Sequence, residues 1–307
     1  MTGPLTRRGF CGAMLTAPVL GVLPCSGAAP VPMIDTHIHL YDPTRPQGVP
    51  WPPKSDPVLY QPTMPPGFLE VTRSSGVTAA VVVEASPLLE DNQWILDLAR
   101  NHPVIAGFVG HLEPGTKAFA GHLARFASNP LFRGIRLNEA ALVAGVRQPA
   151  FVDDLRRMED RGLMIDAIGN FPMVAALAQL SHRLPGLRIA IDHMADLPGG
   201  WQKTEDTRAA MRDLAKVPQV YSKVSGVVRQ VEGKPVVNPA AYRQTLDEIW
   251  DLFGEDRVMY GSNWPVSDRI APYAVVFRIV HSYVTEKGPD SSAKFFAGNA
   301  KNCYRLG

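Results

Sequence analysis

The chain has 307 residues, 46% of them hydrophobic and 20% charged, which is enough apolar material for a sizeable core and too much for intrinsic disorder. The formal net charge is +2, and setting aside Arg7 and Arg8, two of the basic residues, leaves acids and bases in balance. Nothing in that balance points to nucleic acid.

The first 29 residues read as an export leader rather than as fold. "TRRGF", Thr6 to Phe10, places a twin-arginine pair before an aromatic, and the apolar run "CGAMLTAPVLGVL" follows it. That run is too short and too interrupted to span a bilayer. Small residues at "SGAAP" suit cleavage after Ala28 or Ala29, so the chain divides into a twin-arginine signal, 1–29, and one domain, 30–307. The expected destination is the periplasm or the medium, with no membrane span in the mature chain. Cleavage also removes Cys11 and Cys25, leaving Cys303 with no partner for an internal disulfide.

From Met33 onward, short β-branched runs alternate with stretches of helical period. The runs are "MIDTHIHL", "TAAVVVEA", "VIAGFVGHL", "FRGIRLNE", "LMIDAIGN", "LRIAIDHM", "QVYSKVSG" and "RVMYGSNWP". Between the last two, Leu246, Ile249, Trp250 and Phe253 form one apolar helical stripe that stops at Gly254. Eight strand–helix units predict parallel pairing through right-handed crossovers and closure into a (β/α)₈ barrel. The competing fold, an open doubly wound sheet, lacks the glycine-rich phosphate loop it often carries. The proline-rich segment from Tyr41 to Pro66 is too long for an ordinary connection and predicts a functional loop over the barrel mouth.

Each predicted strand delivers a polar residue near its C-terminal end, where barrel chemistry collects. In chain order these are His37 and His39, Glu84, His111, Arg136 and Asn138, Asp166, Asp192 and His193, Lys223 and Ser225, then Ser262, Asn263 and Trp264. His37 and His39 leave a strand by one face, with Asp35 deeper on it as a candidate to orient a histidine. Parity puts His193 in a row with Ile189 and Ile191, predicted to line the barrel, and turns Asp192 toward the helices. Arg136 and Lys223 have two readings, a clamp on an acidic substituent or an ion pair, with Glu84 or Glu139 the partner for Arg136. His111 is a weaker candidate.

"IDTHIHLYDP", "FRGIRLN", "IDHM", "SKVSG" and "RVMYGSNWPVS", in register from Met33 to the C-terminus, resemble the amidohydrolase-related family. They look most like its lactonase branch of 2-pyrone-4,6-dicarboxylate, L-fucono- and L-rhamnono-lactone hydrolases. The resemblance implies a barrel hydrolase acting on a small carbonyl compound, most often a cyclic ester. It implies a divalent ion, zinc above all, held by His37, His39 and His193, with Glu84 as a further candidate ligand; some branches work without metal. Relatives usually carry Asp where this chain has Asn263, though some lactone-handling branches carry Asn, and an amide takes no proton near neutral pH. Three accounts follow: Glu84 replaces that carboxylate as ligand or base; the site is metal-free, with Asn263 a donor to the lactone; or hydrolysis is lost and only binding remains. A lactone isomerase is a further alternative. The expected catalytic set is Glu84, His193 and Asn263, and Arg136, Lys223 and Trp264 are expected to bind substrate. The sequence leaves the oligomeric state open.

Overall fold

The computed structural model describes residues 1–3, 33–199 and 205–307. The arginine pair, apolar run and cleavage site of the expected leader lie outside the described residues. The chain divides into Met1–Pro30 and Val31–Gly307, and the second unit holds the whole barrel.

Its strands are β1 (Met33–Ile38), β2 (Val77–Val83), β3 (Ile105–Gly110), β4 (Phe132–Asn138), β5 (Met164–Ile168), β6 (Arg188–Ile191), β7 (Val220–Val224) and β8 (Val258–Tyr260). They pair in chain order, every pair parallel, as right-handed crossover units require. The segment after β8 returns to β1. Asn263 N–H donates to the His37 carbonyl at 2.9 Å, and His39 N–H donates to that of Trp264 at 2.8 Å. The (β/α)₈ expectation is therefore met and the open sheet is excluded. A short exposed hairpin after β7, Gln230–Val231 with Lys234–Pro235, was not anticipated.

Side-chain size sorts the two faces of the strands. Ile34, Val81, Val109, Met164, Ala190 and Met259 pack in the lumen against Ala297, Ala300, Cys303 and Tyr304, so the C-terminal segment closes the barrel floor. Ile135, Ile165, Ile189, Ile191 and Val220 face outward into the larger core shared with the helices. Helix Arg243–Phe253 lays Leu246, Ile249 and Phe253 on that core as its stripe predicts. Burial of each such side chain contributes about 1.5–3 kcal/mol, so a charge at Ile249 would unseat the helix.

The Tyr41–Pro66 loop is held at several points. Tyr41 and Thr63 exchange backbone hydrogen bonds, the Tyr41 hydroxyl donates to Leu59 O at 2.9 Å, and Arg269 Nε donates to Asp56 at 2.8 Å. The loop sets the Trp51 ring edge-on to His39, centroids 5.8 Å apart.

Candidate active site

A bulge shapes the first site element. Between Asp35 and Ile38, β1 carries one more residue than the facing stretch of β2. An extra residue reverses side-chain parity. Ile34 faces the lumen, Asp35 faces out, and His37 faces in again. Asp35 is thus corrected from a histidine-orienting group to a main-chain tie. It accepts from the backbone N–H of His37 (3.1 Å) and Ser262 (2.9 Å) and from the Tyr273 hydroxyl (3.1 Å). Burial pushes its carboxyl up to about 6. Gly261 lets the closing segment pass: a Cβ there would lie 2.8 Å from His37 Cβ.

The three histidines do come together. The His37 ring centroid is 5.0 Å from that of His39 and 4.6 Å from that of His193. Burial keeps all three neutral: His39 is lowered to about 3 and His193 to about 4, and His37 lies well below the usual imidazole range. His39 Nδ1 donates to the Val83 carbonyl at 3.0 Å, which leaves Nε2 as its lone-pair nitrogen. His193 Nδ1 lies 2.8 Å from Ser225 Oγ, which also accepts the His193 backbone N–H at 3.2 Å.

His193 reaches the mouth by a route that parity does not describe. Ala190 is the lumen residue of β6, so Ile189 and Ile191 lie on the helix side and Asp192 points inward, the reverse of the expectation. His193, Met194, Ala195 and Asp196 then follow with φ of 52–56°, a left-handed turn without glycine. This conformation costs roughly 1–2 kcal/mol per L-residue. It turns the His193 ring toward β7, where Gly226, at φ +60°, makes room: a Cβ there would lie 3.2 Å from His193 Nδ1.

Below the histidines lies a wholly buried ionic cluster. Lys223 Nζ is 2.9 Å from Asp192 Oδ1 and 3.3 Å from His37 Nδ1, and it donates to Asp166 Oδ2. The Tyr304 hydroxyl donates to Asp166 Oδ1 at 3.0 Å from the barrel floor. Burial works against the charge on Lys223, but Asp166 and Asp192 raise its pKa above the ordinary lysine value. Burial likewise opposes the charge on Asp192, which Lys223 and His37 hold well below the usual range. The expectation that Lys223 binds substrate is corrected: its ammonium is enclosed by protein carboxylates.

At the mouth, Arg136 Nε donates to Glu84 Oε1 at 2.8 Å and its Nη2 to the Glu84 carbonyl at 2.9 Å. Of its two readings the ion pair is present, and it leaves Arg136 on the cavity wall. Among the described residues no hydrogen bond joins the Glu84 side chain to any of the three histidines. The pair lines a cavity of about 510 Å³ over β2–β4, with His111, Glu113, Asn138 and Gln148. A second cavity, about 220 Å³, is lined by His193, Asp196, Ser262 and Asn263. Asn263 has φ +61°, a conformation that asparagine accepts more readily than most residues. Trp264 leaves the substrate-binding set: it is buried against Phe68, centroids 5.6 Å apart. Cys303 is buried in the floor with its thiol pKa raised, and is inert. Sequence reasoning missed Trp51 and Asp196; an aromatic in the proline-rich loop was the signal available for the first.

Among the described residues, the His37, Asp166 and Asp192 ligand atoms lie within 4.8 Å of one another, a spacing open to a metal ion. The amidohydrolase family model matches residues 34–306. An L-fucono-1,5-lactonase of Burkholderia ambifaria is 31% identical over 280 residues, spanning 89% of this chain and 95% of that protein. An amidohydrolase structure from Burkholderia multivorans with bound zinc superposes with a TM-score of 0.80 at 24% identity, covering 90% of this chain and 100% of that one. A probable 2-pyrone-4,6-dicarboxylic acid hydrolase from Acinetobacter baumannii, with citric acid bound, gives 0.71 at 18% identity over 89% and 99%. The chain belongs to the amidohydrolase family. It is a lactonase-like hydrolase of that superfamily.

Proposed function

We propose that the protein hydrolyses a neutral, polyhydroxylated lactone at the histidine-lined mouth. The observation that carries the substrate class is the Glu84–Arg136 pair. Among the described residues, Arg136 is the only lysine or arginine lining the two mouth cavities, and its Nε and Nη2 are already engaged by Glu84. Lys223, below, is enclosed by Asp166 and Asp192. Among the described residues a dicarboxylate would meet only a guanidinium already paired with Glu84, whereas Asn138, Gln148, His111 and Glu113 offer donors and acceptors to hydroxyls.

In this reading His193 Nε2, neutral and with Nδ1 engaged by Ser225, takes a proton from the attacking water. The oxygen of the tetrahedral intermediate is met by His37 and the Asn263 amide. His193 returns the proton to the ring oxygen as the ester opens. Glu84 holds Arg136 in the cavity wall, and a base role through its second oxygen is the competing assignment.

The family's metal needs a donor set free of a competing cation. The deep set of His37, Asp166 and Asp192 does not fit, because the Lys223 ammonium stands within hydrogen-bonding reach of all three. At the mouth, the usual acid is the Asn263 amide, and the three imidazoles are not drawn to the 4.8 Å spacing of the deep set. No step above therefore runs through a metal. A zinc ion on His37, His39 and His193 is the second reading, favoured by the free Nε2 of His39 and by the zinc in the Burkholderia multivorans relative. Elemental analysis of the purified protein decides between them.

The central test is a lactone panel of neutral sugar lactones and 2-pyrone-4,6-dicarboxylate, followed by product mass. Turnover confined to the neutral lactones, with water added, is expected. Faster turnover of the dicarboxylate sinks the substrate class. Unchanged product mass identifies an isomerase, and ligand-induced stabilisation without turnover a binding protein. Export by the twin-arginine route belongs to the same proposal, on the strength of Arg7 and Arg8 before the apolar run. Fractionation of cells producing the full chain and its Arg7→Lys/Arg8→Lys variant tests it; export unaffected by the double substitution rejects that route.

A further inference from the structure

An ammonium has three N–H donors and no acceptor. Lys223 hydrogen-bonds Asp166 Oδ2 and His37 Nδ1, the latter at 3.3 Å, and forms an ion pair with Asp192 Oδ1 at 2.9 Å. A divalent ion ligated by His37, Asp166 and Asp192 would have to occupy the same place, beside a like charge in a dry interior. We infer that Lys223 is the resident cation of this centre: it excludes a metal ion from the deep triad and, by donating to His37 Nδ1, fixes His37 as the Nε2–H tautomer. His37 then presents a hydrogen-bond donor to the mouth instead of a metal-ligating lone pair.

One observation supports that tautomer, and a second shows where it would act. Asp192 Oδ1 also lies 3.3 Å from His37 Nδ1, but neither Asp192 oxygen receives a well-aligned hydrogen bond, so the competing Nδ1–H form lacks geometry. His37 Nε2 is buried without a protein partner, and its ring lies against those of His39 and His193. A donor there suits the oxygen of a bound carbonyl. Tyr304 braces the far end, its ring centroid 5.5 Å from Nζ and its hydroxyl on Asp166. Lys223 is accordingly a positioning residue acting through His37. The carbonyl rests on the lactonase reading; the tautomer and the metal exclusion do not.

Two measurements on the purified full chain test this, and neither needs turnover. In histidine-labelled protein, ¹⁵N–¹H spectra assigned with His37→Asn are expected to show His37 protonated at Nε2 and bare at Nδ1. Lys223→Met should move that proton to Nδ1, facing Asp192. In a cobalt(II) titration, the wild type should give no visible absorption that depends on Asp166. Lys223→Ala should gain about one cobalt per chain, lost again when Asp166→Asn is added. A wild-type His37 protonated at Nδ1, or a wild-type cobalt signal abolished by Asp166→Asn, overturns the inference. Should the Lys223 variants fail to fold, the wild-type spectrum and Asp166→Asn decide alone. A lactone panel without turnover would remove the proposed function and leave both readouts standing.

Discussion

The barrel holds two acid–base pairs a few residues apart in depth, and they do different work. Lys223 lies with Asp166 and Asp192 at 0% side-chain exposure, braced from the floor by Tyr304. Arg136 and Glu84 lie at the mouth, each side chain 15% exposed, on the wall of a cavity. In the dry interior a charge without its partner is costly, so the deep cluster is fixed and can hold a histidine in one orientation. At the mouth the pair borders a cavity that water can enter, so a lost partner is less costly there than in the dry interior.

The largest effect that would break this contrast is on stability. Lys223→Met leaves two buried carboxylates without their cation, and the expected loss is about 3–5 kcal/mol in urea unfolding. Arg136→Met at the mouth should cost less, about 1–3 kcal/mol, because the unpaired Glu84 keeps access to cavity water. Equal losses would mean that depth does not separate the two pairs.

Acid should attack the histidines next. Burial lowers His39 to about 3 and His193 to about 4, below the unfolded value near 6.5. The folded state thus binds fewer protons than the unfolded one between those limits. Stability is fully present above about pH 6.5 and is lost as pH falls toward 4 and 3, by an amount on the order of 5–8 kcal/mol for the two histidines together. Urea unfolding in chelator across pH 4–7 measures it, and His39→Gln should flatten the curve. A variant with the parent's pH dependence would show that His39 does not carry the effect.

Much of this architecture is legible in the chain, because a barrel strand needs one apolar run and the runs are separated by helical stretches of the right length. The strand-end polar residues are legible for the same reason: only a site repays their burial. What parity misses has local causes. The β1 bulge turns Asp35 outward, and nothing in "MIDTHI" marks the extra residue. On β6 the lumen residue is the small Ala190 and not Ile189 or Ile191, which turns Asp192 inward, and the left-handed turn from His193 to Asp196, with no glycine to announce it, then redirects His193. Lys223 finds Asp166 and Asp192 only because β5, β6 and β7 lie side by side, a long-range fact no single stretch contains.

Glu84→Gln sharpens the mouth half of the comparison. If Glu84 only holds Arg136, kcat/KM should fall about tenfold or less, mostly through KM, with stability changed by under about 1 kcal/mol. A general base is worth about 10²–10⁴-fold. A loss of that size in kcat, with the fold intact, would return Glu84 to the base role and displace His193 from it.

The smallest expected effect concerns the loop that bears Trp51. Trp51 stands edge-on to His39 at 5.8 Å and to Tyr41 at 5.4 Å, while the loop bearing it is tied at Tyr41, Leu59 and Asp56. An edge-to-face pair contributes about 0.5–1.5 kcal/mol, or roughly 2–12-fold in an equilibrium. With its anchors intact, the loop should keep its course in Trp51→Ala. KM for a neutral lactone should then rise about 2–12-fold at unchanged kcat, because the ring packs beside the histidines without reaching the deep cluster. A fall in kcat instead would place Trp51 in the positioning of His39, and the mouth would share the rigidity assigned to the cluster around Lys223.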